Sequence, residues 1–400
     1  MTTQTSRRTF LKSTALASGG LLMGVALPGL RTGAQAAATL HTPNAWVHIA
    51  DDNTITLISA RSEMGQGVYT SMPMLIAEEL NVDITKIKVA FAPPDAKIYG
   101  NPLLGGPQLT GGSTSVRDGW EKLRVAGAQV REMLITAAAA RWDVDRDAVK
   151  ASNGMVTGPK GKKATYGELA EAASRMPVPE KPPIKDPKDF RIVGKRTKRL
   201  DTPAKTNGTA EFGIDVKLPG MVYAALEQCP VIGGTVKSVD GAAAKAMPGV
   251  IDVVLIPDGV AVVADNTWRA FKAAEAVRCE WAEAAYPAEQ AAHWQAVADS
   301  FTEARLDKVW RQDGDVDAAM GVKPVSAEYK APYVAHAPME PLSAIVKVSP
   351  DRVDIWVSHQ FPRIAQQKVA KICDRPEEQV HLHNLYSGGS FGHRLEFENV

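Results

Sequence analysis

Ser387-Gly388-Gly389-Ser390-Phe391-Gly392-His393-Arg394 is the stretch of this 400-residue chain that best indicates its architecture. Its glycines let the main chain adopt positive φ and let another group come close to it. Successive N–H groups in such a turn form a concave anion site, and Arg394 is a candidate bidentate clamp for a phosphate. Residues 379–385 alternate apolar and polar side chains, so the loop is expected to leave the end of a strand. A plain strand-to-helix turn would explain a glycine cluster that stood alone.

A second glycine loop, Arg61-Ser62-Glu63-Met64-Gly65-Gln66-Gly67-Val68-Tyr69-Thr70, lies near the other end of the chain. Two short strands, at 46–49 and 54–58, are predicted before it, and a helix at 72–80 and a strand at 87–91 after it. Glycines on either side of Gln66 would present its amide, which both donates and accepts, at the start of the helix. A strand–turn–helix junction without a ligand accounts for the same residues.

The third glycine loop, Thr110-Gly111-Gly112-Ser113-Thr114-Ser115, opens a long predicted helix whose apolar period continues to about Trp142. Ser115 and Asp118 match a capping box. Ser113 and Ser115 are therefore either caps alone, or part of a phosphate site that also uses the spare N–H groups of the helix start. The spacing does not separate these two interpretations.

The first residues have the features of an export signal. Ser6-Arg7-Arg8-Thr9-Phe10-Leu11-Lys12 matches the twin-arginine signature, an apolar stretch follows at 15–30, and Ala34-Gln35-Ala36 is a small-residue cleavage site. The apolar stretch is short for a membrane anchor and contains four glycines and a proline. We therefore expect residues 1–36 to be a signal peptide that sends a folded protein, already loaded with a cofactor, to the periplasm.

Composition argues against several classes of function. The net charge is +1, 6% of the residues are aromatic and no long basic tract occurs, so nucleic-acid binding has little support. Cys229, Cys279 and Cys373 form no C-x-x-C pattern, so neither an iron–sulfur cluster nor structural zinc is expected; the prediction is buried thiols, with room for one disulfide. His336 and Glu340 have the spacing of a helical metal pair, but two prolines in the same segment exclude a regular helix.

Changes in composition divide residues 37–400 into the segments 37–176, 177–204, 205–285, 286–322 and 323–400. Five prolines among lysines and acids at 177–187 predict a stiff, exposed linker. An α/β unit is predicted next, then a polar, alanine-rich connector. The α/β unit has predicted strands at 222–226, 250–255, 260–264 and 277–281 and helices at 241–247 and 267–276; the last part has strands at 344–348 and 353–357 and a helix at 362–373.

Taken together, these segments resemble the large molybdenum-binding subunit of the xanthine dehydrogenase and aldehyde oxidase family, in particular the isoquinoline 1-oxidoreductase beta-subunit type. Met64-Gly65-Gln66-Gly67 is similar to the family's M-G-Q-G loop, placed here ahead of the α/β unit as in the isoquinoline type. Residues 211–215 and 218–224 resemble the start of its α/β hammerhead domain, and 336–341 its H-x-x-x-E-P segment. The resemblance covers nearly the whole chain and implies a mixed α/β fold. A molybdenum-binding domain, divided between 37–176 and 323–400, would surround a hammerhead domain at 205–285.

The resemblance implies that molybdopterin, in the cytosine dinucleotide form, holds the metal without a direct side-chain ligand. Gln360 would lie near the molybdenum oxo group, Phe391 would form a pocket wall, and Gln66 would meet the pterin or its phosphate. Gly112, Ser113 and Ser115 would flank the metal and the dinucleotide phosphates. The implied cofactor-binding residues are Gly65, Gln66, Gly67, Gly112, Ser113, Ser115, Gln360, Gly389, Ser390, Phe391, Gly392 and Arg394. Ser390 and His393 depart from the family, which usually has glycine at the first position and arginine or glycine at the second.

The implied activity is hydroxylation of an aldehyde or an N-heterocycle with water as the oxygen source. A small [2Fe-2S] subunit is implied as the electron acceptor, with a membrane cytochrome c as a further candidate partner. The family's general base, a glutamate in a G-x-G-E motif, is expected beyond Val400, so no catalytic residue is predicted here. Three hypotheses stay open: an inactive fragment, one half of a split enzyme, and a periplasmic binding or scaffold protein. The 400-residue chain alone is expected not to hydroxylate.

Overall fold

The computed structural model describes residues 39–231, 233–283, 286–287, 289–321 and 324–397, and the predicted export signal lies outside them. The described residues form two compact units. The first combines the chain up to Val216 with the chain from Val334 on, and the second runs from Lys217 to Tyr333. No helix among the described residues is long and apolar enough to cross a membrane.

The first unit begins with a four-stranded sheet. Its strands are β1 Leu40–Asn44, β2 Val47–Ala50, β3 Ile55–Ser59 and β4 Lys88–Phe91, in that spatial order. The first three are antiparallel, whereas β3 and β4 are parallel and need a crossover helix between them. Every residue of β3 is buried, as expected for a strand covered on both faces.

The chain up to Val216 also contains helices, and the three longest of them pack against this sheet. The helices are α1 Val68–Leu80, α2 Ala96–Tyr99, α3 Ser115–Trp142, α4 Tyr166–Ser174 and α5 Thr202–Asn207; a small sheet of β5 Lys150–Ser152, β6 Met155–Thr157 and β7 Lys163–Thr165 lies between α3 and α4. The core contains fully buried Ile76 of α1 and Leu123 and Val130 of α3. Thr165 and Glu168 form a capping box at the start of α4. The predicted long helix is confirmed at both ends.

The proline-rich stretch after α4 is not a boundary, although most of its side chains are exposed. Glu78 and Glu79 of α1 are fully buried and bind it. Glu79 accepts the main-chain N–H of Lys185 at 3.0 Å, and Glu78 accepts three N–H groups from residues 191–193 and the Lys185 ammonium at 2.6 Å. Since buried carboxylates need such partners, this stretch is bound to the first unit. The prediction of a separating linker is wrong.

The second unit is an α/β unit of five strands and four helices among its described residues. The strands are β8 Tyr223–Gln228, β9 Val236–Asp240, β10 Val250–Ile256, β11 Gly259–Ala264 and β12 Arg278–Trp281, and the helices are α6 Ala242–Lys245, α7 Thr267–Ala274, α8 Gln290–Ala298 and α9 Val316–Ala319. The antiparallel sheet β10-β11-β8 packs Val260 and Val262 against α7. The predicted strands are present, but β9, which pairs with β12, was missed. The unit also extends through the predicted connector.

The chain then completes the first unit with a three-stranded sheet and a helix. The elements are β13 Ala344–Val348, β14 Val353–Val357, α10 Pro362–Ile372 and β15 Val380–Asn384. β14 is antiparallel to β13 and parallel to β15, so α10 is the crossover, with Ala365 and Val369 buried against Ile355. The glycine loop at 387–394 follows β15, as the sequence predicts. Short 3₁₀ turns occur at Ile84–Lys86, Pro102–Leu104, Arg146–Ala148, Pro159–Gly161, Pro187–Asp189, Gly213–Asp215, Glu303–Arg305, Glu377–Gln379 and His393–Leu395.

Candidate functional site

The three glycine loops meet in the first unit, although they lie far apart in the sequence. Ser62 of the second loop donates its hydroxyl proton to the His359 carbonyl at 2.6 Å and accepts from the Asn384 amide, 322 positions away, at 2.9 Å. Its main-chain N–H donates to the Thr110 hydroxyl of the third loop at 2.9 Å. Ser387 of the first loop donates its N–H to the Glu63 carbonyl at 2.9 Å. One continuous hydrogen-bonded surface therefore contains residues from all three loops.

Gln360 lies at the centre of this surface and is 3% exposed. Its main-chain N–H donates to the Arg394 carbonyl at 3.0 Å, and its carbonyl accepts the Thr110 N–H at 2.9 Å. Its side-chain Nε2 donates to the Thr110 carbonyl at 2.7 Å, and its Oε1 accepts the Ser390 hydroxyl. Gln360 thus joins the first and third loops through both its main chain and its side chain.

Arg394 is not the predicted phosphate clamp, because it is fully buried. Its Nη2 binds the Glu340 carboxylate at 2.7 Å, and its Nε donates to the Gly389 carbonyl at 2.9 Å. Burial lowers the pKa of the Arg394 guanidinium, and the Glu340 charge opposes that effect. Glu340 also accepts the Gly388 N–H at 2.7 Å and the Ile214 N–H at 3.1 Å. This ion pair stabilises the conformation of the first loop.

Glu340 is consequently neither a base nor a metal ligand, since its carboxylate oxygens are taken by these donors. His336 stacks against His393, with ring centroids 5.1 Å apart. Within the described ranges, no group of three or more His, Cys, Asp or Glu side chains is placed to hold a metal. Gly388 must be glycine, because a Cβ there would lie 2.3 Å from the Glu340 Cβ.

The three cysteines are free thiols of intermediate exposure, so the prediction of buried thiols is wrong.

The anion site that the second loop creates is filled by a carboxylate of the same chain. Glu63 is fully buried, and its Oε1 accepts the N–H groups of Gly65 at 2.9 Å and Gly67 at 3.1 Å. Its Oε2 accepts the Tyr69 N–H at 2.8 Å. Gln66 is exposed, but its amide accepts from the main chain of residue 64 and donates to that of residue 62. The Gln66 amide thus closes the turn of its own loop with one accepted and one donated hydrogen bond.

Two cations and a second acid complete the surroundings of Glu63. Arg199 Nη2 lies 3.0 Å and Lys205 Nζ 3.6 Å from Glu63 Oε1, and both bind Asp201, at 2.6 and 2.7 Å. Arg199 also donates to the Gly65 carbonyl at 2.7 Å. Burial disfavours the Asp201 carboxylate, but its hydrogen bonds to Arg199 and Lys205 outweigh that and hold its pKa at about 2. Glu63, Arg199, Asp201 and Lys205 thus form one network of two carboxylates and two cations.

The start of α3 differs from the predicted capping box. Thr114 is the N-cap and makes no side-chain cap, while Ser115 is the first helical residue. Asp118 instead binds the buried guanidinium of Arg61 at 2.7 Å and the Lys122 ammonium at 3.0 Å. The first N–H groups of α3 are consequently not taken by a side chain of their own helix. The Arg61–Asp118 pair also connects the second glycine loop to the first turn of α3.

Main-chain donors remain available where the third and first loops meet. Gly112 and Ser113 are exposed and left-handed, with φ of 56° and 53°, and Phe391 is left-handed with φ of 58° and 76% exposed. In the part of the chain that the structure describes, no acceptor takes the N–H groups of Gly112, Ser113, Phe391 or Gly392. A bulky residue in this backbone region is strained, as is common at ligand sites.

Sequence reasoning located the loops but missed the residues that join them. Thr110, Ser62 and Glu63 stand inside the quoted stretches, yet nothing local shows that their partners are hundreds of positions away. Arg199 and Lys205 fell at the edge of the predicted linker. A signal was present in Glu63, an acid in the loop between a predicted strand and a predicted apolar helix, because an acid that becomes buried requires cations.

A molybdopterin cofactor-binding domain model matches residues 6–217, and a second one matches 299–399. The chain is 33% identical, over 89% of its length, to isoquinoline 1-oxidoreductase subunit beta of Brevundimonas diminuta. It is 31% identical, over 88%, to the membrane-bound aldehyde dehydrogenase (pyrroloquinoline-quinone) of Gluconacetobacter polyoxogenes. It spans 51% and 47% of these relatives, about half of their length.

Among solved structures, the aldehyde oxidoreductase from Desulfovibrio gigas is similar over 57% of this chain and 31% of that one, with 21% identity and a TM-score of 0.41. The family models together extend over most of the sequence, and the first alone covers more than half of it. The resemblance drawn from the glycine loops and the mixed α/β fold class are confirmed. This chain belongs to the molybdopterin-binding, molybdenum-containing subunits of the xanthine dehydrogenase family.

Proposed function

We propose that this chain carries the molybdopterin of a periplasmic hydroxylase that oxidises an aldehyde or an N-heterocycle with water as the oxygen source. The names of the two relatives, an isoquinoline oxidoreductase subunit and an aldehyde dehydrogenase, support these two substrate classes. We further propose the cytosine dinucleotide form of the cofactor and a small [2Fe-2S] partner subunit, with a membrane cytochrome c beyond it. The twin-arginine signature supports the periplasmic location.

The residues present fit such a cofactor. The observation that carries the proposal is that Gln360 joins two loops in which four main-chain N–H groups, those of Gly112, Ser113, Phe391 and Gly392, have no acceptor among the described residues. Gly112 and Ser113 offer two of these donors directly before α3, a helix of 28 residues. A helix start with spare N–H groups binds phosphate, and the helix dipole adds to the attraction. We assign the phosphates to this end of the site and the pterin to the side of Gln360.

When bound, molybdopterin would supply the redox chemistry. Gln360 is held by four hydrogen bonds and has one amide hydrogen left to donate toward an oxygen of the cofactor. Phe391 stands exposed beside this hydrogen-bonded surface and is suited to form a wall for a flat substrate. The second loop is held by Glu63, whose carboxylate fills the anion site of that loop. We therefore assign the second loop a role in shaping the cofactor site.

Among the residues that the structure describes, the two acids that contact the glycine loops directly are not placed to take a proton from a substrate or a water. Glu63 and Glu340 are both buried and each accepts from a cation and from main-chain donors. The sequence also contains no G-x-G-E motif. We therefore assign the general base to none of the described residues and expect the 400-residue chain alone to be inactive, since such a base contributes about 10²–10⁴-fold.

The test uses the native protein, purified with the chains that accompany it. Dye-linked oxidation of benzaldehyde and of isoquinoline would be followed in ¹⁸O-labelled water. We expect turnover of at least one substrate, with label in the product, and loss of turnover in Gln360→Ala. A product that carries oxygen from O₂, or no turnover by a preparation with full molybdenum, would contradict the proposal. Turnover by the 400-residue chain alone would refute the assignment of the base.

A further inference from the structure

Ser390 is the residue that fixes the side chain of Gln360. It is 1% exposed, and its hydroxyl contacts Gln360 Oε1. The same hydroxyl oxygen accepts the Arg394 N–H at 3.0 Å, and the Ser390 carbonyl accepts the His393 N–H at 3.0 Å. Ser390 is thus built into the turn of the first loop while its hydroxyl reaches across to Gln360.

The direction of each hydrogen bond in this group follows from its chemistry. The Thr110 carbonyl can only accept, so the NH₂ of Gln360 must face it, at 2.7 Å, and Oε1 must face Ser390. Because the Ser390 oxygen already accepts from Arg394, its own proton is free to go to Oε1. The result is a directed chain of bonds from the Arg394 N–H through Ser390 and Gln360 to the Thr110 carbonyl. Bonds in such a chain strengthen one another.

We propose that Ser390 is a positioning residue that sets the orientation of the Gln360 amide. With the hydroxyl in place, the remaining amide group that can reach a ligand is an N–H donor, which suits an oxygen atom of the cofactor and repels a donor. This part of the proposal rests on the proposed function. The hydroxyl also couples the first loop to the third, because Gln360 cannot rotate without breaking its bond to Thr110.

Removal of the hydroxyl leaves Oε1 buried without a donor, which favours rotation of the amide away from Thr110 or entry of a water molecule beside Oε1. Ser390→Ala is therefore expected to weaken the hydrogen bonds between Gln360 and Thr110, although Thr110 lies 280 positions away in the sequence and is not altered. Ser390→Thr keeps the hydroxyl and should behave as wild type. Ser390→Cys has a weak donor and should be intermediate. Ser59→Ala is the matched control: Ser59 is also 1% exposed and donates to a carbonyl, but it does not contact Gln360.

The first measurement is amide hydrogen exchange of the full chain without cofactor, read on peptides that contain residues 108–116. We expect exchange at the Thr110 amide to rise about tenfold in Ser390→Ala, the effect of one lost hydrogen bond, and to be unchanged in Ser390→Thr and Ser59→Ala. Unchanged exchange in Ser390→Ala would overturn the coupling. If Ser390→Ala does not fold, the comparison of Ser390→Cys with Ser390→Thr decides the same question.

The second measurement is the molybdenum retained by the native enzyme after gel filtration. We expect Ser390→Ala to lose molybdenum at least severalfold faster than wild type, and Ser390→Thr to restore retention. Equal retention in the alanine and threonine variants would overturn the positioning role toward the cofactor. Wild-type protein without any molybdenum would refute the proposed function, while the exchange experiment would still decide whether Ser390 fixes Gln360.

Discussion

Replacement of Glu63 by glutamine removes the charge around which the second glycine loop is built. The carboxylate is fully buried and accepts from the N–H groups of Gly65, Gly67 and Tyr69 and from Arg199, with Lys205 at 3.6 Å. Glutamine has the same shape, but one of its two terminal atoms is a donor. That NH₂ must face either the Tyr69 N–H or the two glycine N–H groups, so at least one main-chain donor loses its acceptor.

The size of the effect follows from these contacts. Removal of one partner from a buried ion pair costs about 3–5 kcal/mol. Asp201 still binds both cations, at 2.6 and 2.7 Å, so the lower end of that range applies. The lost hydrogen bond from the main chain is part of the same cost. We expect Glu63→Gln to lower the free energy of unfolding of the first unit by about 3 kcal/mol.

The assay is chemical denaturation of the full chain, combined with hydrogen exchange to report on the first unit separately. Glu171→Gln is the control, since Glu171 forms an ion pair with Arg175 in which both side chains are mostly exposed. That pair should be worth less than about 1 kcal/mol. We also expect the exchange of peptides 63–70 to rise in Glu63→Gln alone. A loss below about 1 kcal/mol, with no rise in exchange at 63–70, would refute the idea that Glu63 holds this loop.

Three further variants test other parts of the site. Asp201→Asn should lower stability by about 2 kcal/mol above pH 4, and the difference should vanish as the pH falls toward 2, because the folded pKa of about 2 lies below the ordinary 3.8; equal acid-unfolding curves would contradict this. Gly388→Ala should destabilise the first unit by at least about 1–3 kcal/mol, since its Cβ would overlap Glu340; an unchanged melting temperature would show that the loop shifts freely. Arg394→Lys should lower stability by about 2–3 kcal/mol, because an ammonium cannot reproduce the planar set of bonds to Glu340 and Gly389, and full stability in denaturant would refute its structural role.

Local patterns in the sequence predict most of the elements. The helix Ser115–Trp142 has a glycine loop at its start and a sustained apolar period, so both ends were found. The crossover α10 and the strands beside it have equally clear patterns. β9, Val236–Asp240, was missed because a short run with lysine, serine and aspartate has little apolar alternation.

The contacts that shape the site are not local and could not be read from patterns. Arg394 has the composition of a phosphate ligand, and only the fold shows that Glu340 takes it. The proline-rich stretch has the composition of a linker, yet Glu78 and Glu79 bind its main chain. Two adjacent acids inside an apolar helix were the available signal, since acids at buried positions require donors from elsewhere in the chain.

We propose above all that the first and third glycine loops, joined by Gln360, bind molybdopterin. Metal and pterin analysis of the native protein, made in a host that supplies the cofactor, tests this most directly. We predict about one molybdenum and one pterin per chain in the wild type and in the Ser59→Ala control, and loss of most of both in a folded Gln360→Ala variant. Full molybdenum and pterin in Gln360→Ala, or neither in the wild type, would contradict the claim.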